Sequence, residues 1–372
     1  MVFSDFLRLC HCLEGKKREK EIFMKTRMTE LFGIKHPIML SGMSWISTPE
    51  MVAAVSNAGG LGVLATGVLR TDETRAAIKK IRELTDKPFG ANATLLIPGA
   101  KENAKVLLEE EVPVINFALG KGDWLAEGAH KYGGKVISTV VNERHAMMAE
   151  KQGADGLVVT GHEAAAHGGD ATSLVLVPTI ADVVSIPVIA AGGFADGRGL
   201  MAALALGASG IAMGTRLMTT KESPLHENFK KLSIEKGATD TIYGPYFDGL
   251  GCRSLKTKTA IKAYRKGFLG LPNFFTALPN SRHIAKMLGM PYFKIMFGVL
   301  FAGPKISLQL AYLANAFKAM ALATEEGDTK RGVLPVGQST GLLHDTPTVA
   351  ELFERIVVEA EEVKTRLSGV VE

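Results

Sequence analysis

Short apolar runs alternate with longer helical patterns from residue 36 onward. Each run is rich in apolar or β-branched residues and is bounded by Gly, Pro or Asn, which is typical of a buried strand. The segment that follows each run has helical spacing over about a dozen residues. Eight strands are predicted, over Pro37–Leu40, Gly60–Leu64, Phe89–Leu95, Val112–Phe117, Lys135–Val140, Gly156–Val159, Pro187–Ala191 and Gly210–Met213.

The spacing of these runs indicates βα units. Successive runs start roughly 20 to 30 residues apart, the length of a strand plus the crossover helix that parallel strands need. Predicted helices include Pro49–Ala58, Asp72–Leu84, Asn142–Gln152 and Gly199–Leu206. Eight such units fit a closed (β/α)8 TIM barrel better than an open doubly wound sheet, although periodicity alone does not separate the two. We therefore predict an α/β fold with a barrel as its main domain.

The alternation ends near residue 222, and four segments are predicted. Residues 1–23 form an N-terminal extension, either an upstream leader or an amphipathic surface helix, and residues 24–235 form the barrel. Residues 236–330 form a smaller, mainly helical second domain or lid, without a clear strand from 245 to 330. Residues 331–372 return to the barrel and end in a helix over Thr346–Leu367.

The helical segment has apolar faces but no predicted transmembrane helix. Its longest apolar piece, Ile295–Gly303, is far shorter than the roughly 20 residues that span a bilayer. Its apolar faces would pack on the barrel or on another subunit, which leaves a homodimer open.

Composition narrows the class of protein. The chain has 372 residues, of which 47% are apolar and 22% charged, which excludes disorder, collagen and coiled coil. A net charge of +5 from well-mixed residues does not predict a nucleic-acid partner, but leaves anionic small molecules open. Three cysteines form no disulfide framework, so a reducing, cytoplasmic location is expected. Cys10 and Cys12 flank His11 without a second ligand pair, so no metal site is predicted.

Glycine is over-represented, and its positions are informative. The chain has 40 glycines, about 11% where about 7% is usual. Many follow predicted strands, at the edge where barrel enzymes build their active sites. Gly192-Gly193 follow the seventh strand and Gly214-Thr215 follow the eighth, which is the usual phosphate position in such barrels. Gly59-Gly60 precede a strand and are interpreted as a turn.

The loop after the sixth strand contains two histidines. His167 stands beside Gly168 and Gly169, which permit a bent backbone, and is the candidate acid, base or hydrogen-bond donor. A structural role for His167 stays open. His162 stands next to Glu163, and that pair could instead hold the loop in place. The spacing of the histidines does not predict a metal site.

Three side chains suggest a ring-binding surface beside the predicted phosphate site. Met43, Trp45 and Met213 border the glycine-bearing loops, where they would contact a planar ring or belong to the core. A phosphate site next to an apolar cavity indicates a phosphorylated planar cofactor. Flavin mononucleotide (FMN) is favoured over pyridoxal phosphate, because no predicted strand ends in a lysine that could form a Schiff base. No P-loop, Ser-His-Asp signature or G-x-G-x-x-G after a first strand is present.

Several segments together resemble the nitronate monooxygenase family, formerly called 2-nitropropane dioxygenases. They are His36–Met39, Gly42–Trp45, Pro187–Gly199 and Met213–Arg216, with further similarity at 327–329 and 337–341. The resemblance implies an FMN-dependent oxidoreductase that oxidises alkyl nitronates with O2 to a carbonyl compound and nitrite. The same motifs occur in FMN-dependent enoyl-acyl carrier protein reductases and in quinone reductases. The alternative is therefore NAD(P)H-dependent reduction of an enoyl thioester or a quinone, and a flavin-binding scaffold without turnover is a third hypothesis.

The resemblance also implies roles for individual residues. His167 matches the active-site histidine of the family. The implied FMN contacts are Gly42, Met43, Ser44, Asn92, Thr94, Thr139, Ala165, Ala191, Gly192, Gly193, Met213, Gly214, Thr215 and Gln338. Thr139 stands where many relatives have a lysine, and residues 163–167 read EAAAH where many relatives read EAGGH. These departures, with the long apolar segment 245–325, bear on the substrate rather than on the cofactor.

Overall fold

A computed structural model describes residues 24–95, 99–165, 167–265 and 304–370, together with 277, 279–282, 285 and 291–293. The predicted extension 1–23 and the apolar piece 295–303 lie outside the described residues. From residue 36 to residue 222, strands and helices alternate in the order that the sequence pattern predicts.

Eight parallel strands form one closed sheet. They are β1 (Ile38–Leu40), β2 (Gly62–Ala65), β3 (Phe89–Thr94), β4 (Val114–Ala118), β5 (Lys135–Val140), β6 (Gly156–Thr160), β7 (Val188–Ala191) and β8 (Gly210–Met213). From β2 to β8 each strand pairs with the next, and β8 pairs with β1. A parallel bridge between Met39 and Leu61 joins β1 to the start of the second unit, with Leu40 N–H donating to Leu61 O at 2.9 Å. The predicted (β/α)8 barrel is confirmed.

One helix, α1 (Arg27–Phe32), precedes β1 and adds Met28 and Phe32 to the cluster that fills the barrel interior. Seven further helices connect successive strands on the outside. They are α2 (Pro49–Asn57), α3 (Thr71–Leu84), α4 (Ala100–Glu109), α5 (Asp123–His130), α6 (Glu143–Lys151), α7 (Ser173–Ala181) and α8 (Gly197–Ala205). Side-chain caps fix several starts: Asn142 accepts the His145 amide before α6, and Asp196 accepts the Gly199 amide before α8. The predicted helices agree with these bounds to within two residues.

The core has two layers because strand residues alternate in direction. Met39, Val63, Ile137, Ile189 and Ala212 belong to a buried cluster with residues of several strands, which fills the barrel interior. The alternate residues, including Leu40 and Met213, pack against the helices. The barrel is therefore a packed core, and ligands have access only at its ends.

The C-terminal helix α12 (Val349–Ser368) closes the outside of the barrel against α8. A Cβ atom on Gly197 would lie 2.5 Å from both Ala360 N and Ile356 O, so only glycine permits this approach. Thr348 caps α12 and accepts the Glu351 amide. The predicted helix over Thr346–Leu367 is confirmed within three residues.

A hairpin and further helices lie beyond the barrel. They are α9 (Glu227–Ile234), the antiparallel strands β9 (Thr241–Gly244) and β10 (Cys252–Leu255), α10 (Lys258–Ala263) and α11 (Pro304–Thr324). The prediction of no strand between 245 and 330 is wrong for β10. All four residues of β10 are buried and they include Arg253, so the strand shows neither alternation nor an apolar run. None of the helices within the described ranges has both the length and the apolarity to cross a membrane.

Candidate active site

The loop after β1 is held against β3 by one amide side chain. Asn92 Nδ2 donates to Gly42 O at 3.4 Å, and Asn92 Oδ1 accepts the Thr66 amide at 2.9 Å. A Cβ on Gly42 would lie 2.7 Å from Asn92 Nδ2, so glycine is needed here for contact with Asn92. Gly42 and Asn92, which the resemblance assigns to one site, are thus in direct contact.

The same loop reaches the loop after β8. Met43 Sδ lies 3.4 Å from the position that a Cβ on Gly214 would take. Ser44 and Trp45 follow, both half-buried, and Trp45 has a φ of 63°, which is uncommon for a residue other than glycine. The Trp45 ring meets Phe317 of α11 edge-on, with centroids 5.5 Å apart. The loop after β1 therefore lies between the loop after β8 and the outer helix α11.

Backbone amide groups gather at the ends of β7 and β8. Gly192 and Gly193 have φ values of 102° and 87°, a left-handed conformation that favours glycine. Among the described residues, no acceptor receives a hydrogen bond from the N–H groups of Gly193, Gly214 or Thr215. A Cβ on Gly214 would meet only Met43 within 4 Å. The arrangement leaves room and donors for an anion. We call Gly192, Gly193, Gly214 and Thr215 the cradle.

The segment after α11 closes one side of the cradle. Gly337 N–H donates to Thr215 Oγ1 at 2.9 Å, and Gln338 N–H donates to Glu163 O at 2.8 Å. Because Thr215 Oγ1 accepts this bond, its hydroxyl proton stays available for a ligand. The predicted return of the segment around Gln338 to the barrel mouth agrees with this geometry.

Four further assigned residues lie at strand ends. Thr94 and Thr139 are half-buried, and the Thr139 hydroxyl donates to Asn116 Oδ1 at 3.0 Å. Ala191 and Met213 are buried. The Met213 side chain packs between the sheet and its helices, so Met213 can contribute only backbone atoms to a ligand at the mouth.

His167 is paired with an aspartate from the hairpin. His167 Nε2 lies 2.7 Å from Asp248 Oδ2, and the exposed fractions of the two side chains are 38% and 10%. Because a carboxylate accepts hydrogen bonds, Nε2 is the donor, and in the neutral ring the lone pair is then on Nδ1. The exposed histidine can contact a substrate, whereas the aspartate behind it orients the ring.

The hairpin also fixes the loop that carries His167. Buried Arg253 donates through its guanidinium to His162 O at 2.9 and 3.2 Å, and its backbone N–H donates to Ala165 O at 3.1 Å. Tyr243 donates to Gly168 O at 2.9 Å and packs against the His162 ring at 4.5 Å. Burial lowers the pKa of Arg253 from its ordinary value. These contacts bind the β6 loop on both sides of His167.

His162 and Glu163 act within the loop, as one of the two alternatives above proposes. His162 Nδ1 lies 3.0 Å from Gly169 O. Glu163 accepts the Ser173 amide and hydroxyl at 2.9 to 3.0 Å, at the start of α7. A carboxylate at this position is stabilised by the helix dipole and by the free amide groups of the first turn. Neither side chain has a geometry that distinguishes it as an acid or base.

Cys252 lies next to the histidine and aspartate. The candidate ligand atoms of His167, Asp248 and Cys252 lie within 4.8 Å of one another. Complete burial raises the pKa of the Cys252 thiol well above its ordinary value, and the thiol points to Ala165 O at 3.4 Å. Because the thiolate is both the nucleophile and the metal ligand, this cysteine is suited to neither role in this state.

Comparison with known proteins identifies the family. The sequence model of the family described as nitronate monooxygenase matches residues 25–107 and 99–359. The chain belongs to the nitronate monooxygenase family. It is an oxidoreductase, and the family predicted from its motifs is confirmed.

The relatives of this nitronate monooxygenase family member have different names. A Rhodococcus jostii (strain RHA1) protein named (3aS,4S,5R,7aS)-5-hydroxy-7a-methyl-1-oxo-octahydro-1H-indene-4-carboxyl-CoA dehydrogenase is 36% identical over 340 residues, 91% of this chain and 96% of its own. A probable nitronate monooxygenase of Staphylococcus aureus (strain JH9) is 32% identical over 282 residues, 63% of this chain and 79% of its own. The solved structure of FabK from Thermotoga maritima is 35% identical, with a TM-score of 0.77 over 94% of this chain and all of its own.

Sequence reasoning on this family member missed the hairpin residues Asp248, Arg253 and Tyr243. The signal available was weak: a β-branched and aromatic run at 241–243, followed by Gly244-Pro245 and a second turn at Gly249 and Gly251. Such a pattern predicts a hairpin, but not that its turn reaches a histidine 81 residues earlier.

We expect Asp248→Asn to lower kcat by about tenfold, while KM and the amount of bound flavin stay nearly unchanged. An asparagine can present its NH2 group to Nε2, and the ring then loses the preference that keeps the lone pair on Nδ1. The measurement is steady-state kinetics of the purified variant, with its visible spectrum as the check on bound flavin.

A double-mutant cycle separates positioning from structural damage. If Asp248 acts through His167, then adding Asp248→Asn to His167→Ala should lower kcat no further. A full additional loss in the double variant would show that Asp248 acts independently of the histidine.

Proposed function

We propose that this protein is an FMN-dependent oxidoreductase that acts on the carbon atoms next to the carbonyl of a CoA thioester. The observation that carries the proposal is that an anion cradle and an aspartate-backed histidine share one mouth of the barrel. The thioester is proposed from the relative that matches the chain over most of its length.

The cradle fits the phosphate of FMN. It offers the unbonded amides of Gly193, Gly214 and Thr215 and one hydroxyl, and no acidic side chain among the described residues accepts a hydrogen bond from it. Met43 borders the cradle at Gly214, and Asn92 contacts Gly42 of the same loop, so both are candidates to contact the ring of a bound FMN. Thr139 is neutral and already bonded to Asn116, so no charged group from β5 takes part.

Bound FMN would supply two-electron chemistry, and the residues of this chain would supply the proton chemistry. Hydrogens next to a thioester carbonyl are acidic, so their removal requires a base within hydrogen-bond reach. His167 has the exposure for this role, and Asp248 stabilises the positive ring that forms when Nδ1 takes a proton. The β6 loop, held by Arg253 and Tyr243, keeps the ring at one position.

Nitronate oxidation is the second candidate. It is favoured by the family description and by the S. aureus relative. The same histidine would position the nitro group or take the proton of a nitroalkane. The thioester is preferred because the S. aureus relative aligns with 63% of this chain, whereas the R. jostii relative aligns with 91%.

Anaerobic flavin spectroscopy tests the proposed function. The purified protein is expected to be yellow, and its flavin is reduced photochemically so that no electron donor need be assumed. Adding crotonyl-CoA or cyclohexene-1-carboxyl-CoA is expected to restore the oxidised spectrum within one turnover. A separate sample of the oxidised protein receives propyl-2-nitronate, and loss of its oxidised spectrum, with no reoxidation of the reduced protein by either thioester, would contradict the thioester and support the second candidate. A colourless protein that does not take up FMN would contradict both.

A further inference from the structure

The expectation that charged residues are well mixed along the chain fails for one long segment. Residues 249–324 contain eleven of the 43 Lys and Arg residues and none of the 38 Asp and Glu residues. The remaining residues therefore have a formal charge of −6, although the whole chain has +5. A segment of 76 residues without one carboxylate is unsuited to an electropositive substrate and suited to a polyanion.

Four exposed cations in the described part of this segment lie on or beside one short helix. Lys258 and Lys262 are four residues apart on α10 and are exposed, whereas Ala260 and Tyr264 on the other side are buried. Lys256 lies just before the helix, and Arg265 lies in the turn that closes it; both are exposed. Within the described ranges, no carboxylate forms an ion pair with any of these four cations. We call them the α10 basic face.

The buried side of the same helix packs on the site. The Tyr264 ring stacks on Phe247 with centroids 5.5 Å apart, and its hydroxyl lies 2.7 Å from Ser254 Oγ of β10. Phe247 directly precedes Asp248, the partner of His167. The helix that carries the α10 basic face therefore packs on the hairpin residue next to the aspartate that pairs with His167.

We propose that the α10 basic face binds the phosphate groups of the CoA carrier while the acyl group reaches His167. This inference rests on the CoA thioester proposed above. Lysine is a compact charge that binds phosphate without a fixed geometry, and CoA carries several phosphates at one end of a flexible arm. The thioester at the other end of that arm then lies at the barrel mouth.

A small phosphorylated carrier fits this face better than a protein or a membrane. A stable protein partner covers about 800 Å² on each side, which is much more than two turns of helix present. An acidic carrier protein and an anionic lipid surface are thus outcomes that the experiment must separate.

The experiment compares two double variants of the full-length, flavin-loaded protein that change net charge equally. Lys258→Glu with Lys262→Glu reverses the α10 basic face, and Lys79→Glu with Lys151→Glu reverses exposed lysines on α3 and α6 of the barrel. Initial rates are measured with crotonyl-CoA and with the crotonyl thioester of N-acetylcysteamine, which lacks the nucleotide. Lys258→Ala with Lys262→Ala serves as a milder variant.

We expect the α10 double variant to raise KM for crotonyl-CoA by about tenfold or more, with kcat unchanged, because the charge reversal replaces two attractive charges with two that repel phosphate. KM for the truncated thioester should not change, and the alanine variant should be intermediate. The control variant should behave like the natural protein. The KM for crotonyl-CoA should also become less sensitive to salt in the α10 variant.

Three results would overturn the inference. They are an unchanged KM for crotonyl-CoA, an equal rise of KM in the control variant, and an effect seen only with carrier-protein-linked substrate or with binding to vesicles that contain phosphatidylserine. The truncated thioester distinguishes this failure from failure of the proposed function. Turnover of that probe with an unchanged KM for CoA rejects only the α10 basic face, whereas no turnover of either thioester rejects the proposed function.

Discussion

Replacing His167 with alanine is expected to slow turnover by about a hundredfold or more while the flavin stays bound, because a positioned group that removes the proton in one direction and returns it in the other contributes about this much. The side chain of His167 is partly exposed. It is not needed to hold the β6 loop, because the hairpin binds that loop through the backbone carbonyls of His162, Ala165 and Gly168. The measurement is the rate of flavin reoxidation by enoyl-CoA in a single turnover, which excludes product release.

A matched control exists in the same chain. His130 Nε2 lies 2.9 Å from Asp155 Oδ2, so it forms the same kind of pair, but it ends α5 and lies at the opposite end of the barrel. His130→Ala should therefore leave the rate unchanged. An equal loss in both variants would indicate a general effect on stability, and an unchanged rate in His167→Ala would remove His167 from the chemistry.

The fold was predictable because barrel strands are local features. Each strand is a short apolar run between glycine, proline or asparagine residues, so its limits can be inferred without knowing its neighbours. β5 and β8 have the predicted bounds, and the others differ by one or two residues. The hairpin was not predictable in this way, because β10 buries the charge of Arg253, which the His162 carbonyl of the β6 loop and the Thr241 hydroxyl of β9 stabilise.

The site was predictable only as far as it follows strand order. The loops after β1, β6, β7 and β8 meet at one end of any such barrel, so Gly42, His167, Gly193 and Gly214 could be assigned to one mouth. The contact between His167 and Asp248 depends on the path of a hairpin outside the barrel repeat, and no periodicity encodes it. The need for glycine at position 42 was not predictable either, because it depends on the close approach of the Asn92 side chain.

A substitution in the cradle is expected to have the largest effect on FMN binding. Gly214→Asp should weaken FMN binding by about a thousandfold, so the variant should purify without yellow colour. The φ of Gly214 lies outside the left-handed region and a Cβ there would touch only Met43 Sδ at 3.4 Å, so the backbone accepts a side chain. The carboxylate would then repel the phosphate and occupy the donors that Gly193 and Thr215 direct at it, and each charge-assisted bond is worth about 1.5–3 kcal/mol.

Two variants at the same position separate charge from size. Gly214→Asn has the shape of aspartate without its charge, and Gly214→Ala adds only the methyl group, so both should bind FMN more tightly than Gly214→Asp, with alanine within about tenfold of the natural protein. Affinity is measured by fluorescence titration of the flavin-free protein with FMN, and thermal unfolding confirms that each variant is folded. Equal binding by the aspartate and alanine variants would mean that the phosphate lies elsewhere. Equal weakening by aspartate and asparagine would mean that the cradle is limited by space, because repulsion acts only on the charged side chain.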